Sequence, residues 1–211
     1  SNAFAVTQHV RNIPDKVLKR LPENGGIAMI TFFPSYVSNE VRLNGLSRRA
    51  AKAAIEAQTQ NEQERIKLLA DWAVDNPSPR PTLSQVADHI DHVRNLIGID
   101  HIGIGADFDG MPPGPIGLED VSTYPALLVE LLKRGYSDAD IAKVAGKNIL
   151  RVMAKVEKTA KKLQRTRTPS DKLIDEMDEV IVDKRLGLRP ARPKLLSLPS
   201  TYFISPSIHP A

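Results

Sequence analysis

Two aspartates at the end of a buried-strand pattern are the best-placed residues for chemistry in this sequence. The pattern spans residues 99–107 and includes Asp107; Asp109 follows it, and the loop 110–117 contains three glycines and three prolines. In α/β barrels, catalytic groups collect where strands give way to loops. A carboxylate there can pair with an ammonium group or move a proton. Asp107 is therefore a candidate catalytic residue, the alternative being a turn aspartate that binds loop amides. We interpret Asp109 as a loop organiser.

The elements that must position these residues follow the order helix, strand, helix, helix, strand, helix, helix. This order is typical of βαβ units with a parallel sheet. The patterns predict a helix over 14–22, a strand over 27–33, one long helix over 47–74, a capping box at 82–85, a helix over 83–97, a strand over 99–107, a helix over 123–134 and a helical stretch over 137–163. Two strands are too few to close an eight-stranded barrel, which typically needs about 250 residues.

Composition narrows the class of protein. The chain is 41% hydrophobic and 26% charged, values that are ordinary for a globular protein. It has no cysteine, which excludes disulfides and thiolate metal sites. The net charge of +4 is concentrated from Lys155 onward, where there are 12 Lys and Arg against 7 Asp and Glu. The charge gives no reason to predict nucleic-acid binding by the folded part.

Three ordered stretches resemble the membrane (renal) dipeptidase family of zinc peptidases. They are Ser-Asn-Ala at 1–3 through Arg-Asn-Ile-Pro-Asp at 11–15, Leu-Ser-Gln-Val-Ala-Asp-His-Ile-Asp-His at 83–92, and the segment 103–121, with Gly-Ile-Gly-Ala-Asp-Phe-Asp-Gly and Gly-Leu-Glu-Asp-Val. Together they span roughly 1–156, and the tail beyond about 165 resembles nothing known to us.

The resemblance implies the fold and the reaction. It implies an α/β chain that is the C-terminal portion of a (β/α)8 TIM-type barrel of the metal-dependent hydrolase kind, incomplete in this chain. We expect residues 1–164 to form this part and 165–211 to form a basic, proline-containing, largely irregular tail with a short helix near 170–186. The implied reaction is hydrolysis of dipeptides at a binuclear zinc site. The family's zinc ligands would lie upstream of Ser1, so no metal ligand is assigned here and this chain alone should be inactive.

The resemblance also assigns substrate contacts. Arg11 matches the arginine that binds the substrate carboxylate, and a guanidinium suits that role because its planar fork pairs with both oxygens. Asp107 matches the aspartate that faces the substrate amino group and helps to move a proton. Tyr36 matches a tyrosine near the substrate. Without the resemblance, Arg11 could equally pair with the helix after Pro14 or remain solvated, and Tyr36 could be a packing residue.

Other patterns favour ordinary structural roles. His89 and His92 lie on a helix whose aliphatic residues already define a core face, so we do not expect a metal there. His101 lies at the wrong end of its strand for chemistry. His9 shares the Arg11 loop, but nothing specifies its role.

Two alternatives to the zinc dipeptidase remain open. One is a non-catalytic, truncated barrel half that acts as an interaction module through its basic tail. The other is a different amidohydrolase-like barrel hydrolase, which would not need an arginine matched to a substrate carboxylate. The expected partners are a dipeptide, the missing N-terminal barrel half and, as a candidate assembly, a second copy of the chain, with no nucleic acid. The compartment is left unassigned.

Overall fold

The computed structural model describes residues 1–172 of the 211-residue chain, and Ser1–Arg165 forms one compact unit. Residues 167–172 have no regular secondary structure. Most of the predicted tail, including nearly all of the helix expected near 170–186, lies outside the described residues. Within the described part, no helix is both long and apolar enough to cross a membrane.

Helices dominate this unit. The elements are α1 (Asp15–Leu18), α2 (Leu21–Asn24), β1 (Ala28–Ile30), α3 (Pro34–Val37), α4 (Asn39–Gln58), α5 (Glu62–Asp75), α6 (Leu83–Ile97), β2 (Ile102–Ile104), α7 (Tyr124–Lys133), α8 (Asp138–Ala142) and α9 (Asn148–Gln164). Short 3-10 turns occur at Ile99–His101, Phe108–Gly110 and Val121–Thr123, and a π-helical turn joins α8 to α9.

The two strands pair in parallel and form the centre of the fold. Ala28 pairs with Ile102 and Met29 with Gly103. A side chain at Gly103 would place its Cβ 2.6 Å from the Met29 sulfur, so this glycine allows the close approach. Each strand has three residues, and the longer strands predicted over 27–33 and 99–107 are wrong at their ends. The residues that follow each strand, from Thr31 and from Gly105, are therefore not part of the sheet.

Helix α6 supplies much of the core against this sheet. Its buried residues Val86, Ile90 and Val93 recur at helical spacing, and none of the three is exposed. The capping box predicted at its start is confirmed: the Thr82 side chain accepts from Gln85 N–H, and the Gln85 side chain accepts from Thr82 N–H. The helix therefore begins and ends where the sequence predicted.

The single long helix predicted over 47–74 is wrong. Two helices, α4 and α5, lie there, separated by an extended Thr59. Asn61 caps α5 by accepting a hydrogen bond from Glu64 N–H at 3.2 Å, while the Thr59 hydroxyl donates to the Glu64 carboxylate at 2.6 Å. These local polar contacts end one helix and start the next. The sequence pattern did not reveal this break because the residues before and after it both have a helical pattern.

The N-terminal segment is held beside β1 by a side chain. Asn2 is buried; its amide donates to Thr31 O at 2.9 Å and accepts from Thr31 N–H at 2.8 Å. Ala3 also forms an isolated parallel bridge with Ile13. The loop that contains Arg11 is therefore anchored to the same edge of the fold as the residues after β1.

His89 has no exposed surface and accepts a hydrogen bond from Ala3 N–H through Nδ1 at 3.2 Å. Its Nε2 lies 3.0 Å from Val37 O and 3.4 Å from the Thr7 hydroxyl, a set of partners that fits the neutral ring with the proton on Nε2. Burial lowers the pKa of His89 to about 4, against the weaker opposing effect of the bond to Val37.

We expect this histidine to make the fold sensitive to acid. Its pKa is lower in the folded chain than the ordinary value of 6.5, so the unfolded chain binds the additional proton first. The contribution of neutral His89 is complete above pH 6.5 and is lost as the pH falls towards 4, which corresponds to about 3 kcal/mol. Urea unfolding between pH 7 and pH 4 measures the loss. A His89→Gln variant, although less stable at pH 7, should lose less stability over this interval, and an equal loss would contradict the assignment.

Candidate active site at the ends of the two strands

Asp107 lies just beyond β2 in an unusual backbone conformation. Its φ of 75° makes it the one non-glycine residue with a positive φ among residues 1–172. The preceding Ala106 carbonyl is fixed by hydrogen bonds from Phe32 N–H at 3.0 Å and the Thr31 hydroxyl at 3.2 Å. Non-glycine residues in this conformation occur often at functional sites, and aspartate tolerates it better than most. The end of β1 therefore holds the backbone at Asp107 in place.

The Asp107 carboxylate is exposed, and in the described part of the chain it accepts no hydrogen bond. The alternative of a turn aspartate that binds loop amides is therefore not supported. Gly110 packs against the carboxylate: a Cβ at this position would lie 2.7 Å from Asp107 Oδ1. The absence of a side chain at Gly110 leaves room for the carboxylate in its present position.

Arg11 is exposed, and its guanidinium carbon lies 5.5 Å from the centre of the Tyr36 ring. This is cation–π distance. The buried Asn12 side chain fixes both residues, because its amide donates to Tyr36 O at 2.8 Å and to Thr7 O at 2.9 Å. The alternative in which Arg11 pairs with the helix after Pro14 has no contact in its favour within the described residues.

Tyr36 is only 8% exposed. Its ring packs between Phe33, at a centroid distance of 4.6 Å, and His9, at 4.4 Å. Phe33 and His9 therefore position the ring that the Arg11 guanidinium contacts. Tyr36 therefore packs against its aromatic neighbours and also lies beside Arg11 of the candidate site.

Arg11 and Asp107 are brought to the same edge of the fold. The Asn2 N–H donates to Asn12 Oδ1 at 3.0 Å, and the Asn2 side chain accepts from Thr31 N–H at 2.8 Å. The Thr31 hydroxyl in turn donates to Ala106 O at 3.2 Å, so these contacts connect the residues next to Arg11 and Asp107. Two opposite charges from loops far apart in sequence therefore follow residues joined at the end of one strand, an arrangement that suits a ligand with a charge at each end.

A cavity of about 540 Å³ lies in the loop that follows Asp107. Phe108, Met111 and the following loop supply apolar walls, and the acidic side chains Asp109, Glu119 and Asp120 line it. Glu119 accepts from Gly117 N–H and contacts Arg80, and Asp120 accepts from Ser122, so these two carboxylates also organise the loop.

The described residues do not fit a metal site by themselves. Among residues 1–172, no group of three His, Cys, Asp or Glu side chains could hold a metal ion. His89 uses both ring nitrogens in the core, and His92 Nε2 lies 2.8 Å from the Asp15 carboxylate. His101 binds Gly26 O at 2.8 Å, at the opposite end of the strand from Asp107.

Sequence reasoning did not identify several residues near Arg11. Asn12 and Gly110 position the charged groups, and Arg42 and Arg49 of α4 act electrostatically on His9. The spacing of Arg42 and Arg49, seven residues apart, was the available signal, but it became interpretable only once α4 was known to begin at Asn39.

This chain belongs to the membrane dipeptidase family, peptidase family M19, whose family model matches residues 1–167. It is 43% identical over 166 residues to dipeptidase aclJ of Aspergillus oryzae, covering 79% of this chain and 31% of that protein. It is 38% identical over 160 residues to dipeptidase tcpJ of Claviceps purpurea, covering 76% and 29%. The chain thus spans about a third of the length of these relatives.

Solved structures agree with the family assignment. The probable dipeptidase PvdM from Pseudomonas aeruginosa aligns with a TM-score of 0.60 and 28% identity, over 75% of this chain and 44% of that one. A metallopeptidase from Rhodobacter sphaeroides, solved with a phosphinate mimic of the dipeptide L-Ala-D-Ala, aligns with a TM-score of 0.50 and 26% identity, over 70% and 32%. The α/β fold, with its excess of helix, is therefore that of M19 dipeptidases.

Proposed function

We propose that this chain supplies the substrate-binding part of a metal-dependent dipeptidase. Arg11 binds the free carboxylate of a dipeptide, and Asp107 binds its free ammonium group or relays a proton. The observation that carries the proposal is that these two exposed, opposite charges adjoin Asn12 and Ala106, which Asn2 and Thr31 connect at the end of β1.

The carboxylate is assigned to Arg11 because of its geometry. The guanidinium is exposed, and the Tyr36 ring limits its motion, so less side-chain entropy is lost when it binds a ligand. A bidentate, charge-assisted pair with a carboxylate is stronger than a neutral hydrogen bond. Tyr36 acts here as a platform beside the substrate.

The ammonium group is assigned to Asp107 because its carboxylate is exposed and accepts no described hydrogen bond. The fixed backbone at Ala106 and the space left by Gly110 hold it in position without neutralising it. A positioned carboxylate of this kind can also accept and release a proton during hydrolysis.

We propose that residues 1–164 form the C-terminal portion of the (β/α)8 barrel and that 165–211 form an appended tail. Two parallel strands do not make a stable sheet alone, and parallel sheets are usually covered and extended on both sides. The relatives at two to three times this length are consistent with further strands. The family resemblance implies that the ligands for the zinc ions come from polypeptide that precedes this sequence, and residues 1–172 contain no group of three His, Cys, Asp or Glu side chains that could hold a metal ion.

Zinc binding and hydrolysis measured on two preparations test this proposal. The 211-residue chain alone should bind no stoichiometric zinc after dialysis and should not cleave dipeptides. A longer protein, made from the reading frame that includes this chain and the sequence before it, should bind zinc and cleave them. The control substrates are the same dipeptides with an acetylated amino group or an amidated carboxyl group, and both should be poor substrates.

Stoichiometric zinc and turnover in the 211-residue chain would contradict the assignment of the metal ligands to other polypeptide. Equal hydrolysis of free and blocked dipeptides by the longer protein would instead contradict the roles of Arg11 and Asp107. A longer protein with neither zinc nor turnover would favour the non-catalytic interaction module.

A further inference from the structure

Arg11, Arg42 and Arg49 form a cluster of positive charge around His9. Asn39, at the start of α4, connects this helix to the loop before Arg11. Its carbonyl oxygen accepts from Gln8 N–H at 3.1 Å and from Arg42 Nε at 3.2 Å, and its amide donates to Val6 O at 3.0 Å. The Arg42 guanidinium is thereby held against the Arg11 loop.

Arg49 follows Arg42 by two helical turns and so lies on the same face of α4. His9 lies where the two elements meet, since its Nδ1 accepts from Arg11 N–H at 3.2 Å. Burial lowers the pKa of His9 most, and Arg42, Arg11 and Arg49 each lower it further. Three guanidinium groups therefore act on one imidazole.

These three arginines differ from Arg134, which is paired with acidic side chains. Arg134 contacts the carboxylates of Asp88, Asp91 and Glu130 at 2.7–2.8 Å. By contrast, no described carboxylate lies within ion-pair distance of the three guanidiniums of Arg11, Arg42 and Arg49. Like charges held together without counter-charges repel one another, and an anionic ligand would relieve this repulsion.

We propose that Arg42 and Arg49 select dipeptides whose carboxyl-terminal residue has an acidic side chain. This inference rests on the proposed function, in which Arg11 binds the main-chain carboxylate of that residue. A side-chain carboxylate on the same residue would then lie on the arginine-rich side. An acidic side chain on the amino-terminal residue would instead lie towards Asp107 and the cavity lined by Asp109, and would be disfavoured. The preference therefore depends on position and not only on total charge.

Calorimetric binding of Ala-Glu, Ala-Gln and Glu-Ala at low salt to the longer protein that contains this chain, treated with a chelator so that the dipeptides are not hydrolysed, tests the inference. Ala-Glu should bind about tenfold more tightly than Ala-Gln, as expected for one additional charge-assisted contact. Glu-Ala, which has the same composition and charge as Ala-Glu, should bind more weakly than both. Ala-Glu should also raise the pKa of His9, measured from its ring proton resonance, because the added anion offsets the guanidinium charges.

The matched variants are the double substitution Arg42→Gln with Arg49→Gln, and the single control Arg48→Gln. Arg48 is an exposed neighbour on α4 that does not act on His9. The double variant should bind Ala-Glu and Ala-Gln equally, whereas the control should keep the tenfold difference.

The possible outcomes distinguish failure of the side-chain preference from failure of the proposed function. If Ala-Gln and Ala-Glu bind with equal affinity, or if Glu-Ala matches Ala-Glu, this inference is overturned and the proposed function stands. If Arg48→Gln removes the difference as fully as the double variant, the effect is one of general charge and the inference is also wrong. If none of the three dipeptides binds, the proposed function fails and this inference fails with it.

Discussion

Replacing Asp107 with asparagine is expected to lower kcat/KM for a free dipeptide by about 10²- to 10⁴-fold, the range for loss of a positioned acid–base group. Asparagine has nearly the same shape and tolerates the left-handed conformation at φ 75°, so the backbone should not change. What is lost is the negative charge that binds the ammonium group and accepts a proton. The measurement is steady-state hydrolysis by the longer protein that contains this chain.

Asp75→Asn is the matched control for this experiment. Asp75 is an exposed aspartate at the end of α5, and it does not line the cavity in the loop after Asp107. Its substitution should change kcat/KM by less than about threefold, the scale of a surface substitution. Near-normal hydrolysis by Asp107→Asn, or an equal loss in the two variants, would remove Asp107 from the catalytic assignment. Thermal unfolding of both variants shows whether the fold is retained.

Replacing Arg11 with alanine is expected to weaken dipeptide binding by about 1.5–3 kcal/mol, the usual contribution of a hydrogen bond to a charged group. This corresponds to roughly 10- to 150-fold in Kd. Arg11 is exposed and its side chain makes its described contact with Tyr36 alone, so little stability should be lost. The change is measured by calorimetric titration of the longer protein, treated with a chelator, with a free dipeptide at one salt concentration.

Two comparisons separate carboxylate recognition from a general loss of charge. Arg11→Lys keeps the charge and loses the planar fork, and it should recover only part of the affinity. A dipeptide amide lacks the carboxylate, so it should bind the original chain and Arg11→Ala with the same low affinity. If Arg11→Ala weakened the amide as much as the free dipeptide, the contact with the carboxylate would be disproved.

The sequence predicted the start of a helix well where a short capping motif marks it. The Thr82 and Gln85 capping box is a four-residue pattern whose partners are adjacent in the chain, and α6 forms as expected. The division between α4 and α5 depended on Thr59 and Asn61, whose polar contacts compete weakly with helix on both sides. The strand ends were misplaced because apolar alternation continues beyond the residues that actually pair.

The sequence by itself determined the residue types on which the proposal rests: an arginine before a short helix, an aspartate after a buried strand, and the motifs that resemble the dipeptidase family. Only the tertiary structure brought Arg11 and Asp107 to one edge. The buried amides of Asn2 and Asn12 hold the first loop against the residues after β1, and the parallel pairing of Ala28 with Ile102 sets where β2 ends. These contacts join residues far apart in the chain, and their geometry depends on packing around them, so no local pattern of residues could specify it.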